Sequence, residues 1–208
     1  MLKHWCDKVS PLPFEREDKT LLKSDEKYQD YVKILEEELI PAMGCTEPIA
    51  IAYAGAVARE TLGCLPDELD IQVSGNIIKN VKSVIVPNTG GMRGIAAALC
   101  AGVIAGDAQA LLQVMAGATP AQKEEIKTYM DQVKLKITLA SSGHVFEIDV
   151  TVSGRNGNAR VRIIDNHTNI ILVEKNGQPI FTKDVCSEEK EIKTDHSVLN
   201  IEDIIDFA

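Results

Sequence analysis

Nowhere in the 208 residues is there an apolar run of the roughly 18 to 20 residues that a membrane-spanning helix needs. The richest stretch, Ile95 to Ile104, is short and flanked by Arg93 and Asp107. The opening residues, Met1-Leu2-Lys3-His4-Trp5-Cys6-Asp7, hold no apolar signal core. The expectation is a cytoplasmic protein with no membrane partner. Basic charge is scarce as well: 22 Lys and Arg face 31 Asp and Glu, for a net charge of -9. Such a field repels phosphate backbones and anionic lipid, which argues against nucleic acid as a partner. There is no CxxC pair and no close cysteine cluster. Cys6, Cys45, Cys64, Cys100 and Cys186 are odd in number and widely spread, which fits reduced thiols and gives no zinc or iron–sulfur site on this chain. Internal repeats and low-complexity tracts are also lacking.

What is present is globular: 45% hydrophobic residues against 25% charged. Residues 1–23, with Pro11 and Pro13, read as a loosely ordered lead-in. From Ser24 or Asp25, the helical spacing of Tyr28, Tyr31, Val32, Ile34, Leu35 and Leu39 predicts a helix ending at Pro41. A second helix is expected just after Cys45, with Pro48 in its first turn and Gly63 at its end. Leu69 to Val73 and Val81 to Val86 read as strands joined through Ser74 to Asn80. After Asn88-Thr89-Gly90-Gly91, a helix rich in small residues (Ala96, Ala97, Ala98, Ala101, Gly102) implies close backbone packing. Gln109 to Met115 and Thr119 to Gln132 read as helices, the latter with Thr119 as N-cap and Pro120 at its first position.

From Val133 the apolar period falls to two through Val133–Leu139, Val145–Val152, Ala159–Ile164 and Asn169–Glu174. Asn176-Gly177 supplies a hairpin turn to Ile180-Phe181. The fold expected is α+β: helices and mixed strands, then an antiparallel meander, with 24–197 as one domain. Residues 198–208 begin an amphipathic helix, capped by Ser197 or Asn200. The expectation is that it leads into a missing C-terminal half.

Cys45 carries the clearest chemistry. It stands at a predicted helix N-terminus, where free N–H groups and the macrodipole favour a thiolate, so its pKa is expected to fall. The alternative is a small buried hydrophobe, which the flanking Gly44, Thr46 and Glu47 disfavour. Glu47 by itself also suits a first-turn acid. Ser74-Gly75-Asn76 with Lys79 and Asn80, and Asn88-Thr89-Gly90-Gly91-Met92-Arg93, follow strand ends. Their exposed amides suit a substrate carboxylate, although Gly-rich turns also serve as plain punctuation. Lys79, Lys82 and Arg93 read equally as surface charges. His167, in Asp165-Asn166-His167-Thr168-Asn169, is an acid, base or ligand candidate, or part of a polar turn.

The ordered motifs Met43-Gly44-Cys45-Thr46-Glu47-Pro48-Ile49-Ala50, Ser74-Gly75-Asn76-Ile77-Ile78-Lys79-Asn80, Val86-Pro87-Asn88-Thr89-Gly90-Gly91 and His167-Thr168-Asn169 resemble those of the L-cysteine desulfidases. That family is related to the α subunit of iron–sulfur L-serine dehydratases. The resemblance implies a pyridoxal-independent lyase that converts L-cysteine and water to pyruvate, hydrogen sulfide and ammonia. It implies Cys45 as the base that removes the Cα proton. It implies Thr46, Glu47, Asn76, Asn88, Thr89, Gly90 and His167 as substrate-binding residues. It also implies a [4Fe–4S] cluster, whose three cysteine ligands lie in a second half in members about twice this length. Cys64, Cys100 and Cys186 do not match those ligands. The expectation is therefore an N-terminal half of a larger α+β enzyme, inactive without a C-terminal-half partner chain, with homo-oligomers also open. Two alternatives stand beside it: a non-catalytic amino-acid-binding or assembly module, and an L-serine dehydratase-like ammonia-lyase.

Overall fold

The computed structural model describes residues 21–184 and 194–208. Most of the expected lead-in, together with Cys6 and Cys186, lies outside the described residues. The fold is α+β, and the described residues divide into two compact units, one of residues 40–184 and the other of residues 21–39 with 194–208. The first helix thus groups with the C-terminal segment, where one domain over 24–197 was expected.

The larger unit is built on a six-stranded sheet of order β2-β1-β3-β4-β5-β6. Its strands are β1 Glu68–Val73, β2 Lys134–Leu139, β3 Glu147–Gly154, β4 Gly157–Ile164, β5 Ile170–Lys175 and β6 Gln178–Thr182. β3 to β6 form the expected antiparallel meander, closed at β5–β6 by Asn176 and Gly177, both at positive φ (53° and 75°) as a tight hairpin requires. β2 departs from the expectation. It leaves the meander and lies parallel to β1, which inserts between it and β3. The register explains the choice. Leu69, Ile71 and Val73 face Leu135, Ile137 and Leu139, while on the opposite face Lys134 reaches Glu68 at 2.6 Å and Lys136 reaches Asp70 at 2.8 Å. Two-residue periodicity identifies a strand but not its neighbour.

Helix α2, Thr46–Leu62, runs along the sheet against β3 and β4 and is covered on its other side by α4, Gly94–Ala105. An apolar surface on every side suits this central place, and Ile49 through Ala54, together with Ala56, Ala58 and Leu62, are buried. The small residues of α4 are needed for this approach. A Cβ on Gly102 would stand 1.9 Å from the Ala52 carbonyl oxygen, and one on Gly55 would stand 3.0 Å from Leu99. α2 ends where expected, at Gly63 with φ 79°. α5, Pro120–Gln132, starts with a complete capping box in which Thr119 and Gln122 satisfy each other's backbone amides.

Two further expectations change. Val81 to Val86 is not a strand. Residues Gly75–Val81 form a short helix, α3, and of the segment beyond it only Ile85 bridges, to Arg93. The apolar spacing Ile77, Ile78, Val81 is helical, and Ile77 and Val81 are its buried pair. The Gln109–Met115 helix is a 3-10 segment at Ala108–Gln113, interrupted at Leu111 (φ 48°, ψ −122°). In the smaller unit, α1, Glu26–Glu38, meets α6, Ile201–Phe207, through Phe207. Its ring lies 4.7 Å from that of Tyr28 and 5.3 Å from that of Tyr31. Asn200 caps α6 by accepting from the Asp203 amide.

Candidate functional site

Cys45 is the N-cap of α2, with extended backbone angles (φ −61°, ψ 120°) and an exposed side chain. Gly44 before it sits at φ 133°, a conformation that suits glycine, and its Cα faces Pro87, whose ring a Cβ would touch at an ordinary contact distance of 3.4 Å. That contact brings the 87–91 loop beside the loop carrying the thiol.

The thiol donates to Glu47 Oε2 at 3.1 Å, and the Thr46 hydroxyl lies 3.5 Å from the same oxygen. The other carboxylate oxygen, Oε1, accepts from Asn80 Nδ2 at 3.4 Å. Asn80 comes from α3, so the helix that replaces the expected strand supplies part of the site. Asn76, four residues earlier, shares its face of α3 and is exposed. His167, in the β4–β5 connection, acts electrostatically on Glu47 and packs its ring 4.6 Å from that of Phe146. Cys45, Thr46, Glu47, Asn80 and His167 are thus gathered from three chain segments.

The electrostatics run against the lowered thiol pKa expected from the helix end. Burial, then the hydrogen bond to Glu47 and its negative charge, push the Cys45 thiol above its ordinary value. The Glu47 backbone N–H acts in the opposite direction but is the smaller effect. The helix N-terminus is real, yet burial, together with a carboxylate two residues away, outweighs the amide's pull. Burial also works against charge on Glu47. Donation from Cys45, its own backbone amide and Asn80, with the field of His167, nevertheless holds the carboxyl below its usual range. Burial pushes His167 down, partly offset by Glu47. At neutral pH the resting site is a thiol on a carboxylate beside a neutral imidazole.

The second loop has a different character. The Asn88 side chain donates to the carbonyls of Met115 (2.8 Å) and Ala116 (3.3 Å) and accepts from Lys123 at 2.7 Å. Its backbone is left-handed, φ 56°. Thr89 is fully buried and donates to the Val86 carbonyl at 2.8 Å. Both side chains are spent on loop structure. Gly90, at φ 76° and exposed, leaves its backbone open at that place. Lys79 and Lys82 are exposed, and Arg93 donates to the Ser83 carbonyl at 2.7 Å. In the sequence Asn80 is marked with Ser74-Gly75-Asn76 and Lys79 as part of a loop suited to a substrate carboxylate, not as a partner of Glu47 on a helix, and Lys123 is not singled out.

Cavities of about 370 and 360 Å³ flank α2 around Tyr53 and Ile170, away from Cys45. Among the described residues, no group of three or more His, Cys, Asp or Glu is placed to hold a metal. Cys45 at the start of α2, Cys64 just beyond its end and the buried Cys100 in α4 stand apart. The described residues therefore do not fit an iron–sulfur cluster. Among them, no helix is long and apolar enough to cross a membrane.

Comparison with known proteins gives relatives named UPF0597 proteins. The chain is similar to a UPF0597 protein of Desulfitobacterium hafniense (strain Y51), at 47% identity over 186 residues, covering 89% of this chain and 43% of that protein. A UPF0597 protein of Treponema denticola is 44% identical over 183 residues, covering 88% and 42%. One of Fusobacterium nucleatum subsp. nucleatum is 39% identical over 184 residues, covering 88% and 43%. The chain thus spans less than half the length of these curated relatives. No protein-family model matches it.

Proposed function

We propose that this chain is the thiol-bearing half of an L-cysteine desulfidase-like lyase, related to the α subunit of iron–sulfur L-serine dehydratases. The observation that carries the reading is Cys45, exposed at the start of α2 with its thiol on Glu47, to which Asn80 donates and on which His167 acts from two other segments. A base at Cα must meet the substrate, and an exposed cysteine on a polar helix end is accessible where a buried one is not. In the reaction, Cys45 sulfur takes the Cα proton while the Cβ–S bond breaks. The 2-aminoacrylate that results is hydrolysed to pyruvate and ammonia, and the sulfur departs as hydrogen sulfide.

Thr46, the exposed face of α3 at Asn76, the open backbone at Gly90 and the imidazole of His167 are the groups on this chain that orient an amino acid. A [4Fe–4S] cluster, where the complete enzyme uses one, belongs to a second half or a partner chain. A cytoplasmic setting and a small amino-acid substrate, L-cysteine or L-serine, complete the reading.

The experiment is anaerobic sulfide release from L-cysteine by this chain joined to, or co-expressed with, the remaining half of a full-length relative. Release is expected from the pair and its loss from Cys45→Ala. Intact turnover in Cys45→Ala would remove the thiol from its role. Competition between L-cysteine and L-serine separates the desulfidase from the dehydratase. The second reading is a non-catalytic amino-acid-binding module. Calorimetric binding of L-cysteine with no turnover beside the second half would favour it.

A further inference from the structure

Glu47 was a substrate ligand by resemblance, but its two oxygens are already engaged, Oε2 with the Cys45 thiol at 3.1 Å and Oε1 with Asn80 at 3.4 Å. Resting on the lyase reading above, we propose that Glu47 is the proton partner of Cys45: it receives the thiol proton when Cys45 becomes the base and returns it to the departing sulfur. The geometry suits a proton acceptor rather than a ligand. The carboxylate is fixed in the first turn of α2, two residues from the thiol, and Asn80 from α3 holds the far oxygen so that the near one points at sulfur.

A cysteine cannot abstract a proton while it keeps its own. Glu47 is the carboxylate within hydrogen-bond reach of that thiol. The S–H bond breaks and an O–H bond forms on Oε2. The thiolate then takes the Cα proton of L-cysteine, re-forming S–H, as the Cβ–S electron pair leaves with sulfur. The proton on Glu47 passes to that sulfide, giving hydrogen sulfide and 2-aminoacrylate. Cys45 ends as a thiol and Glu47 as a carboxylate, as they began. No oxidant or reductant is consumed.

The titratable groups acting on this pair are each other and His167. The arrangement also makes the unliganded thiol unreactive, since the anionic acceptor favours the protonated sulfur.

The test uses the full chain and does not depend on turnover. Alkylation of Cys45 by iodoacetamide is followed by peptide mass spectrometry from about pH 6 to about pH 10, which gives the midpoint of thiolate formation. Glu47→Gln is expected to lower that midpoint by about one pH unit and to raise the rate at neutral pH severalfold, toward about tenfold. Glu47→Asp, which keeps the charge, stays nearer the parent. If Glu47→Gln loses cooperative unfolding, Glu47→Ala gives the same readout. A midpoint that is unchanged or higher overturns the proposal.

In the joined enzyme, Glu47→Gln is expected to lower kcat with KM nearly constant. A raised KM at constant kcat would make Glu47 a substrate ligand and also overturn it. Intact turnover in Cys45→Ala would instead sink the lyase reading, while the alkylation result would still stand.

Discussion

At Cys45 two influences of opposite sign meet. The free amides of α2 favour a thiolate, whereas burial and the adjacent Glu47 carboxylate favour the thiol, and the second set is larger. The loop residue Asn88 shows a similar contest between function and structure. Its left-handed backbone and its side-chain bonds to Met115, Ala116 and Lys123 make it a brace. Asn88→Ala should lower stability by about 2 kcal/mol in urea denaturation, since it adds strain at φ 56° and leaves the part-buried Met115 carbonyl without its side-chain donor. A residue serving only to hold substrate would leave stability unchanged.

His167 gives a pH signature at the same scale. Its folded pKa lies below the ordinary value near 6.5, so around that pH the unfolded state binds more protons and stability is lost as pH falls. The parent should lose more stability than His167→Asn between about pH 7.5 and about pH 5.5, as read from urea midpoints at both pH values. An equal loss in both proteins would mean that His167 is not held neutral by the fold. Of these residues, the sequence marked Cys45, Glu47 and His167. It did not show that Asn88 and Thr89 are internally satisfied, because their partners Met115 and Val86 are fixed only by loop conformation.

Among the elements, α2 and α4 make the tightest contact, and Gly102 makes it possible. Gly102→Ala places a methyl group against the Ala52 carbonyl and should cost about 3 kcal/mol or more, seen as a lowered thermal midpoint. A small effect would mean that the two backbones stand farther apart than the structure has them. The sequence announced this contact through its run of small residues, and it announced the Thr119 cap and the Gly63 stop as well. Local chemistry decides such features. The sequence misjudged Gln109–Met115, a broken 3-10 segment and not a regular helix, and 81–86, where Val84, Ile85 and Val86 read as a strand. Helix formation at Gly75–Val81 and a single bridge at Ile85 replaced it, with Ile77 and Val81 turned into the core.

For the molecule as a whole, the grouping of α1 with the C-terminal segment rests on Phe207 against Tyr28 and Tyr31, and on the Tyr31 hydroxyl, which donates to the Val198 carbonyl at 3.2 Å. Phe207→Ala should open α1 to limited proteolysis severalfold faster while leaving the unfolding midpoint of the larger unit unchanged. A lowered midpoint in the larger unit would show that the two units do not unfold separately.

The sequence by itself determined the α+β class, the meander and its Asn176-Gly177 turn, the bounds of α2 and α5, and the place of Cys45 at a helix start. These follow from periodicity, caps and backbone preferences that act within a few residues. Only the tertiary structure decided that β2 pairs with β1, that Asn80 and His167 reach Glu47, and that the thiol is held protonated. Those outcomes depend on contacts between residues far apart in the chain. The balance of burial and charge at such contacts exists only once the chain is folded.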